Sequence, residues 1–389
     1  MKKRIFFILL TAFISSALTI MGICMLFNID AQGAINLGRL LSAMRLIEAQ
    51  YVQDVDKDKL IGGAISGMVR SLGDPHSVYL EPKLYSQLKS DISGTFGGIG
   101  VYMNFKDNAV QIINVIPDGP GEKAGLKAGD SILAVNSQPI SEIEYGEVVL
   151  KIRGEIGTPV ELLIHREGEE DKTYTITREI IKDLTVSGKM IDDKLGYIRI
   201  SNFSEGTGKE FKSTLAELEK SNMKGLILDL RQNPGGVITS CVEVAREIVP
   251  KGPIVSVIQR DGTKEVYTSD LEKPKFPIVV LLDQNSASAS ELLAGALQDT
   301  KAAVIVGTKS YGKGSVQSLI SMFRDDGIKL TIAKYYTPNG RSIDGVGIIP
   351  DVEVKLESPL MITREMKLDF DNDAQLRKAE EILLEKIDG

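Results

Sequence analysis

Only two histidines, His76 and His165, occur in the 389 residues. That scarcity excludes a histidine-rich metal centre and gives a Ser-His-Asp triad just two places to find its base. Cysteine is as sparse. Cys24 lies in an apolar N-terminal run and leaves Cys241 alone, so no intramolecular disulfide framework forms. Positive charge is not in excess either: a formal net charge of −7 gives no electrostatic reason to expect nucleic acid. Internal repeats and low-complexity tracts are absent. What is present is an ordinary globular composition, 43% hydrophobic and 25% charged, in a chain long enough for two or three domains.

Lys2-Lys3-Arg4 precedes a mostly apolar run from Ile5 to Phe27, whose 23 residues match a bilayer's thickness at about 1.5 Å per residue. Cations ahead of such a run keep the N-terminus inside and put the rest of the chain across the membrane. Residues 1–33 are therefore expected to be an uncleaved single-pass anchor. Cleavage near Ala31 would instead give a secreted protein. Residues 34–91 read as helical: Leu37–Val52, Lys57–Leu72 and Glu81–Ser90, with Gly73-Asp-Pro-His-Ser77 as a turn in which His76 is structural.

Residues 92–182 read as a β-rich module, with strands at Ala109–Ile116, Asp130–Val135, Pro159–His165 and Lys172–Thr177 and a helix at Ser141–Ile152. His165 belongs to a surface face of its strand. Ala124-Gly-Leu-Lys-Ala-Gly-Asp-Ser-Ile-Leu-Ala-Val-Asn-Ser137 resembles the signature of a bacterial PDZ domain. In such a site, the glycines of Gly97-Gly98-Ile99-Gly100 let backbone N–H groups point at a carboxylate, and the adjoining strand accepts a peptide by β-augmentation. The ligand this implies is a free protein C-terminus.

From residue 183 strands and helices alternate, which predicts an α/β core through residue 356. Leu195–Ser201 and Gly225–Leu230 are strands, and Arg231-Gln-Asn-Pro-Gly-Gly236 is a tight turn into the helix Val237–Val249. Residues 357–389 end in a charged helix from Arg364 to Ile387. Its apolar stripe of Leu376, Ala379, Ile382, Leu383 and Ile387 packs on its own domain or on a twin subunit.

The chemistry concentrates between Pro277 and Gln317. Pro277-Ile-Val-Val-Leu-Leu-Asp283 is a buried strand that delivers Ser286, Ser288 and Ser290 to a helix N-terminus, where N–H groups and the dipole favour developing negative charge. A second strand, Ala302–Gly307, leads to Gly312-Lys313-Gly314, with Gln317 four residues past the lysine. Ser288-Ala-Ser-Glu291 also fits a capping box, and the glycines about Lys313 also fit a plain turn. Gly307–Gly314 nearly matches a phosphate-binding Walker A loop but puts Gly314 where the magnesium-binding Ser/Thr belongs. A lysine can replace histidine as general base if its pKa falls from about 10.4 toward roughly 7–8. The segment Tyr311–Leu319 contains no acid, which suits that demand. Residue types alone do not choose among the three serines.

Taken together, these runs resemble the carboxyl-terminal processing (tail-specific) proteases. The shared runs are Gly73–Ser77, the PDZ signature, Asp229–Gly236, Ser286–Glu291, Gly312–Gln317 and Thr337–Asp351. The resemblance implies an α/β (mixed α+β) protease core with an inserted PDZ domain and helical terminal segments. It places the nucleophile on Ser288, the base on Lys313 and the residue orienting it on Gln317. The oxyanion hole falls on the N–H of Ala289 and that of Gly235 or Gly236. No metal or cofactor is implied. A bacterial cell-membrane location with the catalytic part extracytoplasmic, PDZ gating in which Arg153 couples the two domains, and homodimerisation through the terminal helices complete the expectation. The competing reading is a membrane-anchored PDZ scaffold without catalysis. The set Ser288, Lys313 and Gln317 favours the enzyme.

Overall fold

The computed structural model describes residues 2–26, 28, 30–106, 109–143, 145–356 and 368–388. Contacts divide the chain into two units, Met1–Tyr79 and Leu80–Gly389.

The first unit holds the helices Lys2–Leu26, Ala31–Gln50 and Lys57–Arg70. Asp30 caps the second by accepting the Gly33 N–H at 2.7 Å, and Asp56 caps the third through Asp58 and Lys59. Among the described residues no helix is long and apolar enough to cross a membrane, so the expected spanning anchor is not found. In the first helix, Thr11 and Thr19 bond back to the carbonyls of Phe7 and Ser15.

In the second unit, the helix Pro82–Ser93 leads to a two-stranded ribbon in which Thr95–Gly98 pairs antiparallel with Glu179–Lys182. Between these strands lies the β-rich module. Its antiparallel order is Val101–Lys106, Ala109–Val115, Ser131–Val135, Pro159–His165 and Lys172–Thr177, with the helix Tyr145–Ile152. Alternate residues of these strands (Val110 and Ile112; Val160, Leu162 and Ile164) turn inward onto a core of their own. His165 is half exposed and pairs with Asp171 at 2.7 Å, a surface pair as expected.

The α/β core is a six-stranded sheet. Val186–Met190 lies antiparallel to Leu195–Ile200, and Gly225–Asp229, Ile278–Leu282, Ala303–Gly307 and Val352–Glu353 then add in parallel. Parallel strands must be covered on both faces, and here period-two alternation does it. Leu226, Leu228 and Val280 face the helices Thr207–Lys220, Ile238–Ile248 and Ala289–Asp299. Ile227, Val279 and Leu281 face the terminal helix Ala374–Asp388 through Leu376, Ala379 and Leu383, all fully buried. The terminal stripe thus packs on its own domain, the first of the two roles expected for it. The expected helix start at Arg364 lies outside the described residues; the helix itself begins at Ala374.

Beside this sheet lies an antiparallel one containing Gly252–Gln259, Lys264–Ser269, Ser315–Ser321 and Gly327–Tyr336. The strand Ser315–Ser321 begins two residues past Lys313, and its register slips between Val316 and Gln317.

Candidate active site

The strand Ile278–Leu282 ends at Asp283, whose carboxylate accepts the Ser286 hydroxyl at 3.0 Å and the N–H groups of Gln232 and Asn285. The Leu230 carbonyl, 2.9 Å from the Ser286 hydroxyl, shares that hydroxyl's single proton with the carboxylate, and the Ser290 hydroxyl donates to the Asn233 carbonyl at 3.0 Å. Both residues are fully buried and their hydroxyls stitch the serine segment to the Asn-Pro-Gly-Gly turn. Ser288 is different. It is 8% exposed and sits at φ 55°, ψ −115° as the residue before the helix Ala289–Asp299. A non-glycine residue in that region costs about 1–3 kcal/mol and persists only where its surroundings impose it. Such a strained strand-to-helix turn thrusts one side chain out of the backbone path.

The turn opposite is built to fit. Asn233 is fully buried; it accepts the Ala287 N–H at 3.0 Å on its carbonyl and the Gly235 N–H at 2.8 Å on its side-chain oxygen. A Cβ at Gly235 (φ 96°) would stand 2.6 Å from the Ala287 carbonyl, 2.7 Å from Ser288 Cβ and 2.9 Å from Ala289 N. Among the described residues, no acceptor meets the N–H of Ala289 or that of Gly236, whereas the Gly235 N–H is engaged by Asn233. Hydrogen-bond accounting therefore leaves Ala289 and Gly236 as the pair of available donors.

Lys313 reaches this place on a loop that Glu291 holds down. Glu291 is fully buried; one carboxylate oxygen accepts the N–H of Ser288 and of Lys313, each at 2.8 Å, and the other accepts the Gly312 N–H at 2.6 Å and the Ser310 hydroxyl at 2.5 Å. The Tyr311 N–H donates to the Ser286 carbonyl at 3.1 Å. Gly314 N–H lies 3.3 Å from Asp344. The expectation of an acid-free lysine environment thus holds along the segment but not in space, because the helix brings Glu291 in from 22 residues away. The capping-box reading of Glu291 is also met, since it takes the Ser288 N–H. Gln317 lies two residues into its strand, where its amide nitrogen donates to Ser315 and Thr331 at 2.9 and 3.2 Å. One residue that sequence reading missed completes the site. Tyr335, 1% exposed, donates its hydroxyl to the Lys313 carbonyl. Burial first, then the charge of Glu291, pushes its phenol well above the usual tyrosine range.

In the β-rich module, Gly98, Ile99 and Gly100 line a cavity of about 220 Å³ together with Phe96, Val149 and Ile181. Gly97 does not line it: a Cβ there would fall 2.1 Å from the Gly154 carbonyl, so it serves a close backbone crossing. Arg153 forms part of the cavity wall, its guanidinium 3.8 Å from the centre of the Phe96 ring and 3.6 Å from Asp91. Asp91 titrates above the ordinary aspartate value because its burial outweighs the attraction of Arg153.

A strained serine at a helix start, backed by two open N–H groups, in a chain whose β-rich module carries a ligand-sized groove, fits a peptidase with a PDZ module. Three family models match: Peptidase family S41 over residues 194–354, PDZ domain over 111–166, and the Activating protease CtpB N-terminal domain over 28–83. The chain is 38% identical to the Carboxy-terminal processing protease CtpB of Bacillus subtilis (strain 168), over 86% of its own length and 72% of the relative's. It is 37% identical to the Carboxy-terminal-processing protease of Bartonella bacilliformis (strain ATCC 35685 / KC583 / Herrer 020/F12,63), over 92% and 84%. A solved structure, the putative S41 protease from Bacteroides fragilis NCTC 9343, shares the fold at TM-score 0.53 and 17% identity, covering 87% of this chain and 92% of the other. The chain belongs to the carboxy-terminal processing proteases of peptidase family S41. It is a serine-type peptidase with a PDZ domain.

Proposed function

We propose that the chain cleaves proteins whose free C-terminus it captures in the PDZ groove, by a serine–lysine mechanism. Lys313 removes the proton of Ser288, whose oxygen attacks a peptide carbonyl. The N–H groups of Ala289 and Gly236 hold the oxyanion, each such donor worth about 3–4 kcal/mol. Water then hydrolyses the acyl-enzyme. Gln317 orients the lysine through its amide oxygen, since its nitrogen already donates to Ser315 and Thr331. The carrying observation is that Ser288 alone of the three serines is spared from bonding a backbone carbonyl and is held in strain beside Ala289 N–H. The test is cleavage of an unfolded protein with an apolar C-terminus by the full-length chain and by Ser288→Ala and Lys313→Ala. Cleavage by wild type alone supports the mechanism; equal cleavage by all three refutes it.

Arg153 is proposed to gate the site. It contacts Asp91 of the helix Pro82–Ser93. The next carbonyl, Ile92, accepts the Glu205 N–H at 2.9 Å, and Phe203 N–H donates to the Gly235 carbonyl at 2.9 Å, so a continuous path joins the groove to the oxyanion turn. Arg153→Ala is expected to uncouple hydrolysis from the substrate tail; hydrolysis that keeps its full dependence on that tail would refute the role. Homodimerisation is assigned to the helix Ala31–Gln50, which buries no residue and exposes Leu37, Leu40, Leu41 and Ile47. Light scattering on Leu40→Glu/Leu41→Glu, against a dimeric wild type, tests it. An extracytoplasmic location rests on the cations ahead of the apolar run and is tested by fusing the C-terminus to a phosphatase active only outside the cytoplasm.

A further inference from the structure

We propose that Gln375 is a positioning residue of the catalytic centre, its buried amide tying the oxyanion turn to the sheet edge from which the Lys313 loop departs. The inference rests on the serine–lysine reading above. Gln375 is 1% exposed and lies in the first turn of the terminal helix Ala374–Asp388. Its side-chain oxygen accepts Arg231 Nη1 at 3.1 Å, and its side-chain nitrogen donates to the Val354 carbonyl at 2.8 Å. The helix needs neither bond. Asp373 serves its start, accepting the Leu376 N–H at 3.0 Å on one oxygen and Arg231 Nη1 at 2.8 Å on the other. An amide is also a costly way to fill space, since burial penalises each polar half that is left unbonded.

The two bonds lead to two arms of the site. Arg231, 2% exposed, opens the turn Arg231–Gly236, and its Nε and Nη2 grip Asp229 at the end of the preceding strand. The residue after it, Gln232, stands at φ 59°, in the left-handed region that a non-glycine residue holds only where its surroundings impose it. Arg231 is the anchor on one side of it. The fully buried Asn233, whose amide donates to the Ile200 carbonyl at 2.9 Å, is the anchor on the other. On the second arm, the Val354 N–H donates to the Gly307 carbonyl at 2.9 Å, and Gly307 ends the strand that runs into the Lys313 loop. Glu291 ties the Ser288 turn to the Lys313 loop, and Gln375 ties the oxyanion turn to the root of that same loop. Misplacement of reacting groups by about 1 Å costs about 10²-fold in rate, and that is the scale at which Gln375 acts.

The experiment compares full-length wild type, Gln375→Met, Gln375→Glu and Ser288→Ala by fluorophosphonate labelling, by cleavage of the unfolded protein substrate and by urea denaturation. Methionine fills the volume and removes both bonds. Glutamate keeps the acceptor for Arg231 and loses the donor to Val354. Gln375→Met is expected to lower kcat and the labelling rate by about tenfold or more, at a temperature where its urea curve shows it folded, while KM stays within about threefold. Wild-type kcat and labelling with only the urea midpoint lowered would make Gln375 a packing residue and overturn the assignment, as would a loss carried entirely by KM. Should the methionine variant not fold, Gln375→Glu gives the same reading: a lowered kcat at unchanged KM supports the role and a wild-type kcat removes it. Ser288→Ala separates the two layers. If it labels at the wild-type rate, the serine reading itself fails and Gln375 loses its role with it. If it stays unlabelled while Gln375→Met labels like wild type, only the role of Gln375 falls.

Discussion

Ser288 and Lys313 hang from one oxygen of Glu291, which accepts the backbone N–H of each at 2.8 Å. The turn of the proposed nucleophile and the loop of Lys313 follow different strands, and this carboxylate ties them together. Both of its oxygens are filled by donors, a load that an ionised carboxylate meets with about four lone-pair sites. Glu291→Gln replaces one acceptor by an NH₂ group facing N–H donors. The expected result is a stability loss of about 1–3 kcal/mol by urea denaturation and a fall in kcat of about 10²-fold. A variant with wild-type kcat would show that the spacing does not depend on the charge.

The strain at Ser288 predicts an opposition between activity and stability. Glycine tolerates φ 55°, ψ −115°, whereas alanine does not relieve it. Ser288→Gly and Ser288→Ala are both expected to be inactive. The glycine variant should be the more stable by about 1 kcal/mol, the relief of strain less the entropy cost of glycine in the unfolded chain. Equal urea midpoints for the two variants would mean that the turn is not strained.

Much of the core was legible because its patterns are local. Gly225–Asp229 and Ile278–Leu282 read as buried strands from their uninterrupted apolar runs, and the terminal stripe of Leu376, Ala379 and Leu383 read as a packing face. The short strand Val186–Met190 escaped notice, because Ser187, Gly188 and Lys189 carry no apolar alternation and the strand is made by its register against Leu195–Ile200. The site was legible in part. Spacing located the serines and the lysine, but what sets the serines apart depends on partners distant in sequence: Asn233 for Ser290 and Leu230 for Ser286. No periodicity carries such information. The acid-free run Tyr311–Leu319 misled for the same reason, since Glu291 and Asp344 approach from other elements.

Gly235 tests the proposed oxyanion turn without removing a reacting group. A Cβ there would lie under 3 Å from the backbone of Ala287 and Ala289 and from Ser288 Cβ, at a φ of 96° that side chains rarely adopt. Gly235→Ala must push the turn away from the helix start. The expected cost is about 1–3 kcal/mol of stability together with a fall of about 10²-fold in kcat, as the Gly236 N–H leaves its place. Retained kcat with lowered stability would move the second oxyanion donor elsewhere.

The buried charges beneath the sheet give a pH signature separable from catalysis. Asp229, fully buried, accepts Tyr197 at 2.7 Å and Arg231 at 2.6 Å, and Arg231 bridges on to Asp373 at 2.8 Å next to the terminal helix. Burial alone would raise the Asp229 carboxyl, but the charge and hydrogen bonds of Arg231 outweigh it and hold the group below its ordinary value. A carboxyl depressed on folding contributes stability that is present above the unfolded-state pKa of about 3.9 and lost as pH falls through the lower folded value. Wild-type urea midpoints should therefore be insensitive to this group between about pH 5 and 7 and drop below about pH 4. Asp229→Asn leaves Arg231 partly uncompensated and should cost about 3–5 kcal/mol at neutral pH, yet lose less on acidification. Parallel acid limbs for the two proteins would place the acid sensitivity in other carboxyls.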